Sequence, residues 1–158
     1  VITKSFKKVI PAEAMSPAAT APGLSVQYYK GDWDSIPLFN TLAPVESGVL
    51  KTVSTGAYAD KELYGVVLEG YIKIPATGLY HFYLSSDDGS LLYVDGELLV
   101  NNNGLHGLEE VKGTRALAAG YHRIRIEFFE KSGGDELHLM MESKKEPKKE
   151  IPAQLLFH

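Results

Sequence analysis

From Gly120 to Glu130 the side chains alternate. Ile124, Ile126 and Phe128 fall on one face and Arg123, Arg125 and Glu127 on the other, the period of an antiparallel strand with one buried face. After a break at Ser132-Gly133-Gly134 the alternation resumes with Leu137, Leu139 and Met141, a return strand. Earlier in the chain Leu24 to Tyr29 reads as a strand. A long loop with Gly, Asp and Pro follows and carries Trp33, and a weaker strand lies near Val49 to Val53. Leu63 to Ile74 is apolar enough for a buried strand. Pro75 and Gly78 close it before Leu79 to Leu84, so these two strands are predicted to face each other across a tight turn. Leu91–Val94 and Glu97–Val100 flank Asp95-Gly96, whose residues supply the positive φ angles of a two-residue hairpin turn. Val111 to Leu117 resumes a strand, Ala118-Ala119-Gly120 turns the chain, and Ile151 to Phe157 is apolar enough to dock on a sheet. With no convincing long helix and no internal repeat, the pattern predicts an all-β antiparallel fold, a sandwich or a barrel-like sheet.

Residues 1–22 differ in character. Ile2 to Ile10 is a short strand-like run, and an Ala/Pro-rich stretch from Pro11 to Pro22 follows it. They are expected to be the end of a preceding domain plus a linker, with the sandwich over residues 23–158. The chain begins at Val1 rather than Met, which suggests a piece of something longer.

Composition narrows the possibilities. With 158 residues and 44% hydrophobic content the chain has enough material for one core. The formal charge of −4 and the lack of a long basic patch argue against nucleic acid as a partner, and Lys144 to Lys149 reads as a solvated run. There is no cysteine, hence no disulfide, thiolate metal site or cysteine nucleophile. No apolar run reaches membrane-spanning length, so no membrane insertion is expected.

The chemistry concentrates in Ser85 to Gly96. Neighbouring side chains of an extended strand point to opposite faces, so Asp87 and Asp88 address one ligand only if the backbone departs from that form, which Gly89 permits locally. Two adjacent carboxylates repel unless a proton or a hard cation neutralises them, which makes calcium a candidate. A ligand-free polar turn fits the spacing equally well. Asp95 belongs to the hairpin turn rather than to a ligand site. Of the five histidines, His81, His138 and His158 read as surface or terminal and His122 as structural, whereas His106 sits in the amide-rich loop Asn101 to Gly107, with Asn103.

Catalytic motifs are missing: no Gly-x-Ser-x-Gly elbow, no phosphate-cradling glycine loop, no His-Glu-x-x-His pair. Asp60, Glu62, Asp87, Asp88, Glu109 and Glu110 are carboxylates of the kind a glycosidase sets about 5–9 Å apart across a cleft, but the chain offers no second domain to make one. Sugar binding asks for less: a cation or an exposed aromatic ring, with amides to fix orientation. Trp33, Tyr58 and Tyr64 are the candidate rings, each taken singly better suited to a β-core.

Taken together, Gly23-Leu24 with Tyr28-Tyr29, Gly70-Tyr71, Gly78-x-Tyr80-x-Phe82, Ser86-Asp87-Asp88-Gly89-Ser90, Leu92 to Gly96, Gly104-x-His106 and Gly120-Tyr121-His122 resemble the PA14 domain family over about residues 23–157. The resemblance implies a two-sheet antiparallel β-sandwich, an accessory module of bacterial glycoside hydrolases, fungal adhesins and some toxins. It further implies that Asp87 and Asp88 are joined by a cis peptide and that both chelate a calcium ion that binds sugar hydroxyls. In the adhesins a late loop adds an asparagine and backbone carbonyls. Here that loop is Glu130 to Asp135, without the asparagine, and Glu130 or Asp135 is the available substitute. The residues expected to contact ligand are Trp33, Asn103, His106, Glu130, Lys131, Ser132 and Asp135, with the metal on Asp87 and Asp88.

The expected function is therefore a non-catalytic, calcium-dependent carbohydrate-binding module. Its partners would be a glycan and the neighbouring domains of one polypeptide, a secreted, periplasmic or cell-surface bacterial protein such as a multidomain hexosaminidase. The alternative is a structural sandwich that packs on a catalytic domain and binds no glycan.

Overall fold

The computed structural model describes residues 8–158. Most of the strand expected over residues 2–10 lies outside them. The strands are β1 (Leu24–Lys30), β2 (Glu46–Leu50), β3 (Tyr64–Ile74), β4 (Gly78–Asp87), β5 (Ser90–Val94), β6 (Glu97–Asn102), β7 (Glu109–Leu117), β8 (Gly120–Glu130), β9 (Glu136–Glu142), β10 (Lys149–Glu150) and β11 (Leu156–Phe157). They form two antiparallel sheets. One is seven-stranded in the order β2-β1-β3-β8-β5-β6 with β11 also on β3, and the other is four-stranded in the order β10-β9-β4-β7.

The sheets pack face to face. Val66, Leu68, Ile72, Ile124, Ile126, Phe128 and Leu92 of the larger sheet meet Tyr80, Phe82, Leu84, Leu117, Leu137 and Leu139 of the smaller in one core. Each such buried apolar side chain contributes about 1.5–3 kcal/mol. A second, smaller cluster forms outside the sandwich, where the loop after β1 folds back so that Phe39, Trp33 and Ile36 pack on Tyr29 and Val67.

Two of the expected turns do other work. Leu63–Ile74 and Leu79–Leu84 do not pair. β3 lies between β1 and β8 in one sheet and β4 between β7 and β9 in the other, so Pro75 to Thr77 carries the chain across the sandwich. Ser132 to Asp135 likewise carries it from β8 to β9 in the opposite sheet. The reason is burial: β3 and β8 each present a full apolar row, and two such rows are both covered when the sheets stack as layers. The weak second strand runs over Glu46–Leu50, ahead of its expected place.

The hairpin is as read. β5 and β6 pair, and Asp95 and Gly96 have φ of 52° and 80°. Pro22 bridges Phe157, while Ala12 and Met15 bridge Leu117 and Tyr121, so residues 12–22 run along the sandwich edge.

Candidate functional site

Asp88 and Gly89 take the chain from β4 in one sheet to β5 in the other, and the Asp87–Asp88 peptide is cis. On the β8 side, alternation puts Ile124, Ile126, Phe128 and then Glu130 on the inward face, so the last inward residue of the strand is a carboxylate. One oxygen each from Asp87, Asp88 and Glu130 lie within 4.8 Å of one another.

The three carboxylates differ in their partners. Asp88 is buried, and each of its oxygens accepts a backbone N–H, Oδ1 from His106 at 3.2 Å and Oδ2 from Lys131 at 3.0 Å. Asp87 is half-buried. Burial and then the neighbouring Asp88 raise its pKa above the ordinary carboxylate range. Glu130 is 1% exposed, and among the described residues neither oxygen has a hydrogen-bond partner. Burial first, then Asp88, Asp87 and Asp135, push its pKa up to about 8, against the smaller opposite pull of the Asp88 backbone N–H, which faces Glu130 without meeting hydrogen-bond geometry. Buried polar atoms are nearly always hydrogen-bonded, so two orphaned carboxylate oxygens beside two more carboxylates are suited to a proton or to a hard, oxygen-seeking cation.

A polar strut sits under the crossover. The Ser86 and Ser90 hydroxyls lie 2.6 Å apart, and the buried Asn102 amide donates to Ser86 Oγ, to the Leu84 carbonyl and to the Glu109 carbonyl. Gly89 is required for space: a Cβ there would lie 2.6 Å from the Phe129 ring and 2.7 Å from the Gly104 nitrogen. A Cβ on Gly134 would lie 3.1 Å from Asp87 Oδ2, which places the late loop's backbone beside that carboxylate.

The other expected contacts divide. His106 donates its backbone N–H to Asp88. Its ring nitrogens sit 2.7 Å from the Gly107 carbonyl oxygen and 2.8 Å from that of Asn102. Burial lowers its pKa, but these two carbonyls, with Glu109 and Asp88, outweigh it and the pKa is raised. Lys131 reaches the site through its backbone N–H. Its ammonium pairs with Asp34 and, at 3.1 Å, with Asp32, the residues on either side of Trp33. Trp33 is half-buried and edge-on to Phe39 at 5.9 Å. Asn103 braces loops, its Oδ1 accepting from Ile36 and Gly104 at 2.8 Å each. Ser132 is exposed on the late loop.

Asp135 is outside the three-carboxylate group. Its Oδ2 accepts from the Asp60 amide at 2.7 Å and the Tyr64 hydroxyl at 2.9 Å, so Glu130 and not Asp135 joins the aspartates. Tyr58 and Tyr64 are buried in a run of rings with Tyr28 and Phe128, which removes them as sugar platforms. In the sequence Ser86 and Ser90 stand out only as part of the Ser86–Ser90 motif and Asn102 only as part of the amide-rich loop, none of them with a bracing role. Their only signal there is polarity at inward positions of otherwise apolar strands.

Fold and site together define a two-sheet β-sandwich domain with a cation-suited carboxylate cluster where the chain crosses between its sheets. The chain belongs to the PA14 domain family, whose profile matches residues 20–154. A probable β-glucosidase J of Neosartorya fischeri is 35% identical over 77 residues, 42% of this chain and 9% of that enzyme, so the chain spans a small part of that relative's length. Among solved structures, a PA14 sugar-binding domain from an RTX adhesin superposes with a TM-score of 0.73 at 18% identity, covering 87% of this chain and 98% of that one. The epithelial adhesin 9 A domain of Candida glabrata, in complex with Galb1-3GlcNAc, superposes with a TM-score of 0.72 at 14% identity, covering 95% and 96%. At these identities the superpositions establish the shared fold.

Proposed function

We propose that this domain is a non-catalytic carbohydrate-binding module that holds a calcium ion on Asp87, Asp88 and Glu130 and uses it to bind sugar. The observation that carries the reading is the Glu130 carboxylate, fully buried, without a hydrogen bond, and grouped with two aspartates. The donor set fits the ion: three carboxylates are hard oxygen ligands, and Glu130 supplies the side chain that the late loop lacks as asparagine. When bound, calcium supplies a positive centre to which vicinal sugar hydroxyls coordinate. The chain's own residues fix that centre. The amides of His106 and Lys131 orient Asp88, and the Asp32–Lys131–Asp34 ion pairs tie the Trp33 loop beside the late loop. The likeness to sugar-binding adhesin domains and to a β-glucosidase supports a glycan ligand and a role alongside other domains of a larger secreted or cell-surface carbohydrate-active protein. Among the described residues no helix is long and apolar enough to cross a membrane.

Thermal unfolding with calcium or chelator tests the ion. At a hundredfold excess over its dissociation constant an ion stabilises by about 2.7 kcal/mol, roughly 5–10 °C for a domain of this size. The shift is expected in the unaltered chain and is expected to vanish in Asp87→Ala and Glu130→Gln. No shift at millimolar calcium sinks the metal reading. A glycan array read with and without chelator then tests the sugar, and silence in calcium favours a structural sandwich packed on a catalytic domain.

A further inference from the structure

The outer face of the seven-stranded sheet carries a groove of about 490 Å³ that the metal cluster does not line. Cross-strand register sets its floor: Arg125 lies between Glu69 and Tyr93, and the next row of the same face puts Glu127 between Val67 and Leu91. Arg125 is already held, by a salt bridge to Glu69 and a 3.4 Å hydrogen bond to Asn40 Oδ1. Glu127 is different. It is 8% exposed, lies between Val67 and Leu91 across the strands, and pairs with Arg125, whose Nε is 3.7 Å away, an ion pair longer than a hydrogen bond. Burial above all pushes its pKa up while Arg125 pulls the other way, in keeping with a carboxylate only partly compensated for the water it gives up.

The surroundings say what kind of ligand would complete it. Glu69 and Glu127 balance Arg123 and Arg125, so the groove attracts neither an anion nor a cation on net charge. It offers an acceptor, Glu127, next to a donor, Arg125, and a hydroxyl pair satisfies both at once. Two tyrosines border it. Arg123 already covers Tyr71, its guanidinium 5.8 Å from the ring centre, which leaves Tyr93 as the free apolar surface. A peptide anchor needs an enclosed apolar pocket or an unbalanced charge, and this floor, with one open ring and paired charges, supplies neither.

We propose that this groove is a second saccharide site, metal-independent and selective for neutral sugars. A hydroxyl donates to Glu127, a neighbouring hydroxyl accepts from Arg125, and the apolar side of the ring rests on Tyr93.

The test is amide-resolved NMR of the full chain in excess chelator, which silences the carboxylate cluster, titrated with cellobiose, lactose and chitobiose and separately with N-acetyl-lysine amide. Saturable shifts are expected for at least one disaccharide at Asn40, Tyr93, Arg125 and Glu127. They are expected to persist in Asp87→Ala and to disappear in both Glu127→Gln and Tyr93→Ala, the latter an unbonded groove residue whose loss leaves the ion pairs in place. Three results overturn the proposal: no shift with any of the three sugars, shifts that survive both groove variants, or a response to the lysine amide alone, which marks a polypeptide-docking surface instead.

Discussion

Asp88 accepts the backbone N–H of Lys131 at 3.0 Å, across 43 residues of sequence, while the Lys131 ammonium turns away to Asp32 and Asp34. One residue thus ties the sheet crossover, the late loop and the Trp33 loop together, and the geometry of the carboxylate cluster depends on all three.

Because both oxygens of Asp88 are buried against backbone N–H groups, Asp88→Asn is expected to do more than remove a charge. An asparagine presents an NH₂ to one of those donors and leaves it unpaired, at a cost of about 1–3 kcal/mol. Urea unfolding in chelator reads that loss, and the calcium shift in melting temperature is expected to vanish in the same variant.

The metal-free domain is expected to lose stability as pH rises from about 5 to about 8. Glu130 has a folded pKa of about 8 against an ordinary 4.5, so between those values the folded state holds a proton that the unfolded chain has released. Folding is therefore favoured below the window, and the advantage is lost through it. Glu130→Gln is expected to flatten this slope in melting temperature against pH. With Glu130 intact, calcium affinity rises across the same window, as the ion takes the place of the proton.

Gly89→Ala is expected to cost about 1–3 kcal/mol and to abolish the calcium response, since the new methyl would press on the Phe129 ring and on the Gly104 backbone. The control is Gly96→Ala. Nothing lies within 4 Å of a Cβ there, so its cost comes from the positive φ alone and the calcium response is retained.

Asp95 does more than form a turn. It lies 2.8 Å from Nδ1 of the fully buried His122 and accepts the Arg123 amide at 3.2 Å, while His122 Nε2 is 2.8 Å from the Ala118 carbonyl oxygen. Asp95→Ala leaves a buried ring nitrogen without its partner and is expected to destabilise by about 1–3 kcal/mol in denaturant unfolding. The calcium shift is expected to remain, which separates this aspartate from Asp87 and Asp88.

Much of this was readable from residue order. Alternation and apolar runs from Leu24 to Met141 gave most of the strands, with the second displaced by a few residues, Asp95-Gly96 gave the hairpin, and Asp87-Asp88-Gly89 stood out as a place where an extended backbone could not serve both carboxylates. The inward position of Glu130 was legible too, two residues beyond Phe128 on the same face, although its place in a loop-like Glu-Lys-Ser-Gly-Gly run obscured it.

What the linear chain determined, then, is local: which residues extend, where the backbone turns and which face of each strand is apolar, because these depend on side chains two residues apart. Tertiary structure decided the rest. Pro75 and Gly133 mark turns without saying whether the next strand pairs in the same sheet or crosses to the other, since that is settled by which arrangement covers both apolar faces. The same stacking brings Glu130 to Asp87 and Asp88, takes Asp135 away to Tyr64, buries Tyr58 and Tyr64, and leaves Glu127 on the outer face with a long ion pair to Arg125. Distances between carboxylates more than forty residues apart are set by how the sheets pack, and no local pattern carries them.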